Sequence, residues 1–72
     1  MYIIQELQTT NGQTVLVTPA TEADLNQAKS TFHLRASYAA VSKVETHTVM
    51  LHDERGDVIE KIVFDHTAPT GE

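Results

Sequence analysis

The string TEADLNQAKSTFHLRASYAAVS, residues 21–42, decides the fold of this 72-residue chain. From Glu22 to Ser42 it holds neither Gly nor Pro and is rich in Ala, Gln, Lys, Leu and Arg, which propagate a helix well. Thr21 is placed to cap that helix, with Glu22 in the first turn and Asp24 at the third helical position. The expected helix, 22–42, is about 31 Å long. On it Leu25, Ala28, Phe32, Ala36 and Ala39 fall within about 80° of one another, a stripe suited to packing on a sheet.

Hairpins lie on either side. Residues 2–8 and 14–18 read as strands around Thr10-Asn11-Gly12, where Gly12 supplies the positive φ of a tight turn. A two-residue Asn11-Gly12 turn pairs Leu7 with Leu16. A three-residue loop with Gly12 as bulge residue pairs Leu7 with Val15 and gathers Ile3, Leu7, Val15 and Val17 on one face. The second register is expected, since a slip of one residue flips the whole pattern. Pro19-Ala20-Thr21 then ends the strand.

After the helix, residues 44–53 and 57–66 form a second hairpin around Glu54-Arg55-Gly56. Pairing Asp53 with Asp57 sets Leu51 opposite Ile59 and Met50 opposite Glu60. One face then holds Val44, Met50, Val58, Ile62 and Phe64. The other holds Val49, Leu51, Ile59 and Val63 among Glu45, His47, Lys61 and Asp65. Residues 67–72 read as a flexible tail. The expected fold is a single α+β domain over 1–66, ββαββ, with one helix packed on a face of a four-stranded antiparallel sheet. Strand order stays open.

Composition sets limits. A chain this short buries only about 60–65% of its unfolded surface, and small domains usually need disulfides, a metal or self-association. Cysteine is absent, which excludes disulfides, thiolate metal sites and a cysteine nucleophile. Ten acidic against five basic residues give a net charge of −5, and no basic run exists to neutralise phosphates, so direct nucleic-acid binding is not expected. Residues 53–72 hold six acidic and two basic residues, −4 of that total. Such an acidic end suits a basic partner, although charge alone speaks to solubility and association. The N-terminus lacks the charged and apolar regions of a signal peptide, and no apolar run approaches the length of a membrane span.

The helix has a second apolar side. Leu34, Tyr38 and Val41 follow helical spacing opposite the sheet-facing stripe. With the second sheet face of Val49, Leu51, Ile59 and Val63, they make a surface that marks an interface. Leu34, Tyr38, Val41, Val49, Leu51 and Ile59 are therefore the candidate interface residues, and a two-fold dimer is the first expectation.

Catalytic constellations are weak. His33, His47, His52 and His66 lack zinc-motif spacing, so no metal ligands are assigned. Ser30, Ser37 and Ser42 sit on a helix without a strained turn. Asp53, Glu54 and Asp57 gather at a wet hairpin tip, where nothing raises a carboxyl pKa, and do not match a calcium loop. Arg55-Gly56-Asp57 spells an adhesion tripeptide, but three residues are too short a signal, and Gly56 already serves the turn. No cofactor motif occurs, and a chain of this size makes a closed pocket only between subunits. An enzyme is not expected.

The opening Tyr2-Ile3-Ile4-Gln5-Glu6-Leu7-Gln8-Thr9, the segments from Phe32-His33-Leu34 through Ala39-Ala40-Val41-Ser42, and His47-Thr48-Val49-Met50-Leu51 resemble a group of short proteins encoded in phages and prophages of Gram-positive bacteria. Members commonly begin with a similar Tyr-Ile-Ile-Gln-Glu segment and close with an aromatic residue shortly before a histidine, as Phe64 and His66 do here. The group has no assigned activity, so no catalytic residue carries over. The resemblance covers about residues 2–66 and implies an accessory protein of phage growth, in the host cytoplasm or on the particle.

The leading expectation is a non-enzymatic module that self-associates and binds a host or phage protein. Three rivals follow. An anti-defence protein would inhibit a host immune complex through the acidic hairpin, with salt-sensitive binding. A ligand-sequestering oligomer would hold a small signalling molecule between subunits with His47, Lys61, Arg35 or Tyr38. A minor structural component would be present in virions.

Overall fold

Asn11 and Gly12 both take positive φ, 54° and 78°. That is the signature of a two-residue type I′ turn, whose twist matches the strands it joins. The turn connects β1 (Tyr2–Thr10) to β2 (Gln13–Glu22), with Thr10 opposite Gln13 and Leu7 opposite Leu16. The three-residue loop pairing Leu7 with Val15 is thus corrected by one residue. Asn11 accepts the left-handed conformation at little cost, so no bulge residue is needed.

β2 does not stop at Pro19. It runs on to Glu22, pairing Ala20, Thr21 and Glu22 with Ile4, Ile3 and Tyr2. Thr18 and Pro19 together face the single residue Gln5, a bulge on an outer strand. A proline is tolerated there because no neighbouring strand needs its missing N–H. Thr21 and Glu22 are thereby taken into the ladder, and the helix starts later than Thr21 would cap it. Asp24 is the N-cap, and its Oδ2 accepts from the Gln27 N–H at 2.9 Å. Helix α1 spans Leu25–Ala40, shorter than 22–42.

A short connection leads to β3 (Thr46–Asp53), and the Glu54-Arg55-Gly56 tip returns as β4 (Val58–Asp65). Gly56 carries a φ of 91°. The Asp53 N–H donates to the Asp57 carbonyl at 3.1 Å, the expected closing pair. Ile59 then forms a bulge: Leu51 faces Glu60, while His52 faces Val58. That extra residue overturns the pairing of Leu51 with Ile59 and of Met50 with Glu60. It also rotates β4 against β3, so Ile62 and Phe64 share a face with Val49 and His47.

The strand order is β2-β1-β3-β4, all antiparallel, with α1 on one face: an α+β fold in ββαββ order. The structure, a computed structural model, describes residues 1–66, and the tail reading for 67–72 lies outside the described residues. The core joins Ile4, Val49 and Leu51 of the central strands to Ala28, Phe32 and Ala39 of α1, with Tyr2, Ala20 and Phe64 packed against it. Ala36 is buried as well, and small alanines on either side of Phe32 let the helix approach the sheet closely. His66 stacks on Phe64 at 6.3 Å, and its Nε2 lies 3.1 Å from the Ala39 carbonyl, tying the end of β4 to the helix C-terminus.

Candidate functional site

The helix displays a continuous apolar stripe to solvent. Leu34, Tyr38 and Val41 are 54%, 65% and 81% exposed. Thr31 donates to Glu22 of β2 at 3.1 Å, and Arg35 reaches Glu6 of β1 at 2.6 Å. Tyr38 continues that flank at i+7 and i+3, so the stripe leans toward β2.

The sheet is the second exposed surface. Ladder alternation turns Ile4, Glu6, Val49 and Leu51 toward the helix, and Ile3, Leu7, Leu16, Met50, Val58 and Val63 away from it. One row runs Leu16, Leu7, Thr48, Val63 across all four strands. Its ends, Leu16 and Val63, are exposed, and its middle is half-buried by its neighbours. Both sheet faces are apolar, and α1 covers one.

Val49 and Leu51 are therefore corrected as interface candidates. Both are fully buried under α1. The outer face belongs instead to Met50, Val58 and Val63, joined by Ile3, Leu7 and Leu16 from the first hairpin. The bulge at Ile59 accounts for part of the exchange. The rest comes from two buried polar residues, Glu6 and His47, whose neighbours read as an outward face in sequence. Ile59 itself is partly exposed beside Leu25 at the N-terminal end of α1.

Glu6 and His47 form the one deeply placed polar group among the described residues. Glu6 Oε1 accepts from His47 Nε2 at 2.8 Å, and Oε2 accepts from Arg35 at 2.6 Å. A carboxylate only accepts, so Nε2 carries the proton and Nδ1 is left to meet the Ser42 hydroxyl, 3.1 Å away. Chemically this is a hydroxyl, an imidazole and a carboxylate in series. Two grooves among the described residues lie elsewhere, and neither is lined by any of the three. The arrangement ties β1, β3 and both ends of the helix-to-β3 connection together, which is a structural task.

The larger groove, about 610 Å³, is open and lies between the first residues of β1, Leu25 and the β3–β4 tip. Met1, Tyr2 and Ile59 give it apolar walls, and the N-terminal amine meets Glu54 at 3.0 Å. At the tip, Asp53 Oδ1 accepts from the Arg55 N–H at 2.8 Å and the Asp57 N–H at 3.0 Å. The Asp57 N–H, helped by the N–H and charge of Arg55, holds the Asp53 carboxyl below its ordinary value, against partial desolvation. This is an ionised turn carboxylate. A smaller groove of about 290 Å³ separates α1 from β4, where His33 Nε2 stands 3.3 Å from Glu60 Oε2. No group of three or more His, Cys, Asp or Glu side chains among the described residues is arranged to hold a metal ion.

The four residues considered for ligand capture are not brought together in one protomer. His47 and Arg35 share Glu6, Tyr38 projects from the helix, and Lys61 stands on the outer sheet face beside Met50. Sequence reasoning missed Leu16 and Val15 as exposed positions, 56% and 58% open. The Asn-Gly dipeptide signals their register against β1, while their place on an outer strand follows from the strand order, which no local signal gives. No helix among the described residues is long and apolar enough to cross a membrane. Comparison with protein families, curated proteins and solved structures finds no match to this chain.

Proposed function

We propose that this chain is a non-enzymatic interaction module, an accessory protein of phage or prophage origin that self-associates and binds a host or phage protein. The observation that supports this reading is the stripe of Leu34, Tyr38 and Val41, three large apolar side chains in register on the outer side of the helix. Scattered exposed apolar residues are ordinary on a small protein, but a contiguous stripe is a contact surface. The serine–histidine–carboxylate series lies outside both grooves described above, and its hydrogen bonds link β1, β3 and the end of the helix.

Light scattering coupled to size exclusion, at two protein and two salt concentrations, tests the self-association. The expected mass is at least twice the 8.0 kDa of one chain. An 8.0 kDa species at every concentration defeats it. Tyr38→Glu is expected to weaken the assembly, and an unchanged mass removes Tyr38 from the contact. For the second half of the proposal, a phage or host protein should be retained by the immobilised wild type and released by the same substitution.

A further inference from the structure

The geometry points to the outer edge of β2 as the place where a second copy of this chain docks, by antiparallel strand pairing about a two-fold axis at Leu16; this rests on the self-association proposed above. Among the described residues, β2 and β4 are the two edge strands of the sheet. Natural edge strands are protected by charges, bulges and prolines. β4 carries Glu60, Lys61 and Asp65 along its length and a bulge at Ile59. In β2, the stretch Gln13-Thr14-Val15-Leu16-Val17-Thr18 has no charge, no Gly and no Pro, and it ends at the Thr18-Pro19 bulge.

Charge separates the two edges further. The described residues from Asp53 to Asp65 include five acids against Arg55 and Lys61, and they form the end of β3, the turn and β4. Strand order puts β2 at the far side of the sheet from them. Two chains of net charge −5 repel least when they approach through this uncharged edge.

The pairing is self-complementary. Counting from the two-residue turn, the backbone groups of Val15 and Val17 point to β1, and those of Thr14, Leu16 and Thr18 point outward. Centring the axis on Leu16 pairs it with the second copy's Leu16, and Thr14 with the second copy's Thr18. Val15 then lies beside the second copy's Val17 on the helix side. The two Leu16 side chains join the Leu7 side chains into one apolar row across the seam. Tyr38 lies on the same flank of α1 as Thr31 and Arg35, which reach Glu22 of β2 and Glu6 of β1.

The cysteine-free chain gives a direct test. Directly opposed residues in a hydrogen-bonded pair have Cα atoms about 5.5 Å apart, within disulfide reach. Leu16→Cys is expected to form a covalent dimer under mild oxidation, while Val63→Cys, similarly exposed on β4, stays largely uncoupled. Leu16→Lys, with its fold checked by circular dichroism, should halve the mass seen by light scattering, and Val63→Lys should leave it unchanged. A wild-type dimer that survives Leu16→Lys, or that couples through Val63→Cys, overturns the β2 edge and leaves self-association standing. A wild type that is monomeric throughout overturns both.

Discussion

Glu6 on β1 and His47 on β3 meet diagonally across the central ladder, Oε1 to Nε2 at 2.8 Å, beneath the helix. Both are buried, and Arg35 closes the carboxylate from the helix side at 2.6 Å. A buried charge is costly unless paired and hydrogen-bonded, and here each oxygen of Glu6 has its own donor. This pairing explains why a strand that begins Tyr-Ile-Ile-Gln-Glu turns its glutamate inward.

Removing one member should therefore cost far more than removing all. Glu6→Ala is expected to destabilise the fold by about 3 kcal/mol in urea unfolding, because it strands His47 and Arg35. Combining Glu6→Met with His47→Leu and Arg35→Met should recover most of that loss. Equal losses for the single and triple variants would show that the network contributes by packing rather than by charge pairing.

The start of the helix gives a second prediction. Asp24→Ala removes the acceptor for the Gln27 N–H and should cost about 1 kcal/mol. Thr21→Ala, in an exposed strand position, should stay within about 0.5 kcal/mol. A larger effect at Thr21 than at Asp24 would place the cap where the sequence alone suggests it.

Gly12 has no heavy atom within 4 Å of where a Cβ would stand, yet its φ is +78°. Gly12→Ala is thus a conformational test free of collision, expected to cost about 1 kcal/mol. The same variant should weaken the Leu7–Leu16 register, read as faster amide exchange along β2. An unchanged melting temperature would contradict the strain argument.

Asp53 predicts a pH dependence with a definite sign. Its folded carboxyl titrates below the ordinary 3.8, chiefly through the Asp57 N–H. Its contribution is complete above the unfolded value and is lost as pH falls through the folded one. The stability advantage of wild type over Asp53→Asn should be constant above about pH 5 and shrink below pH 3.8. A gap that holds constant to pH 2 would remove the carboxylate from the argument. The Arg55 ion pairs to Asp53 and Asp57, at 3.8 and 3.5 Å on an exposed arginine, should add little.

The sheet-facing stripe of the helix was legible because it needs only the period of 3.6. Ala28, Phe32, Ala36 and Ala39 are all buried, and Leu25 is half-buried. The outer stripe was legible for the same reason. Register was harder. Asn11-Gly12 admitted two pairings, and the choice between them turned on apolar alternation that both faces of β1 satisfy. The candidate surface was half legible: Leu34, Tyr38 and Val41 are exposed, while Val49 and Leu51 belong to the core.

By itself the sequence determined the element order, the antiparallel hairpins, the length class of the helix and which of its sides meets the sheet. Local periodicity, turn chemistry and chain connectivity suffice for those. Tertiary structure decided the strand order, the two bulges, the helix start and above all which sheet face is buried. That choice depends on Glu6 finding His47 across 41 residues of chain and Arg35 across 29. A charged side chain counts as outward in any local pattern, and only its distant partners make the interior a favourable place for it.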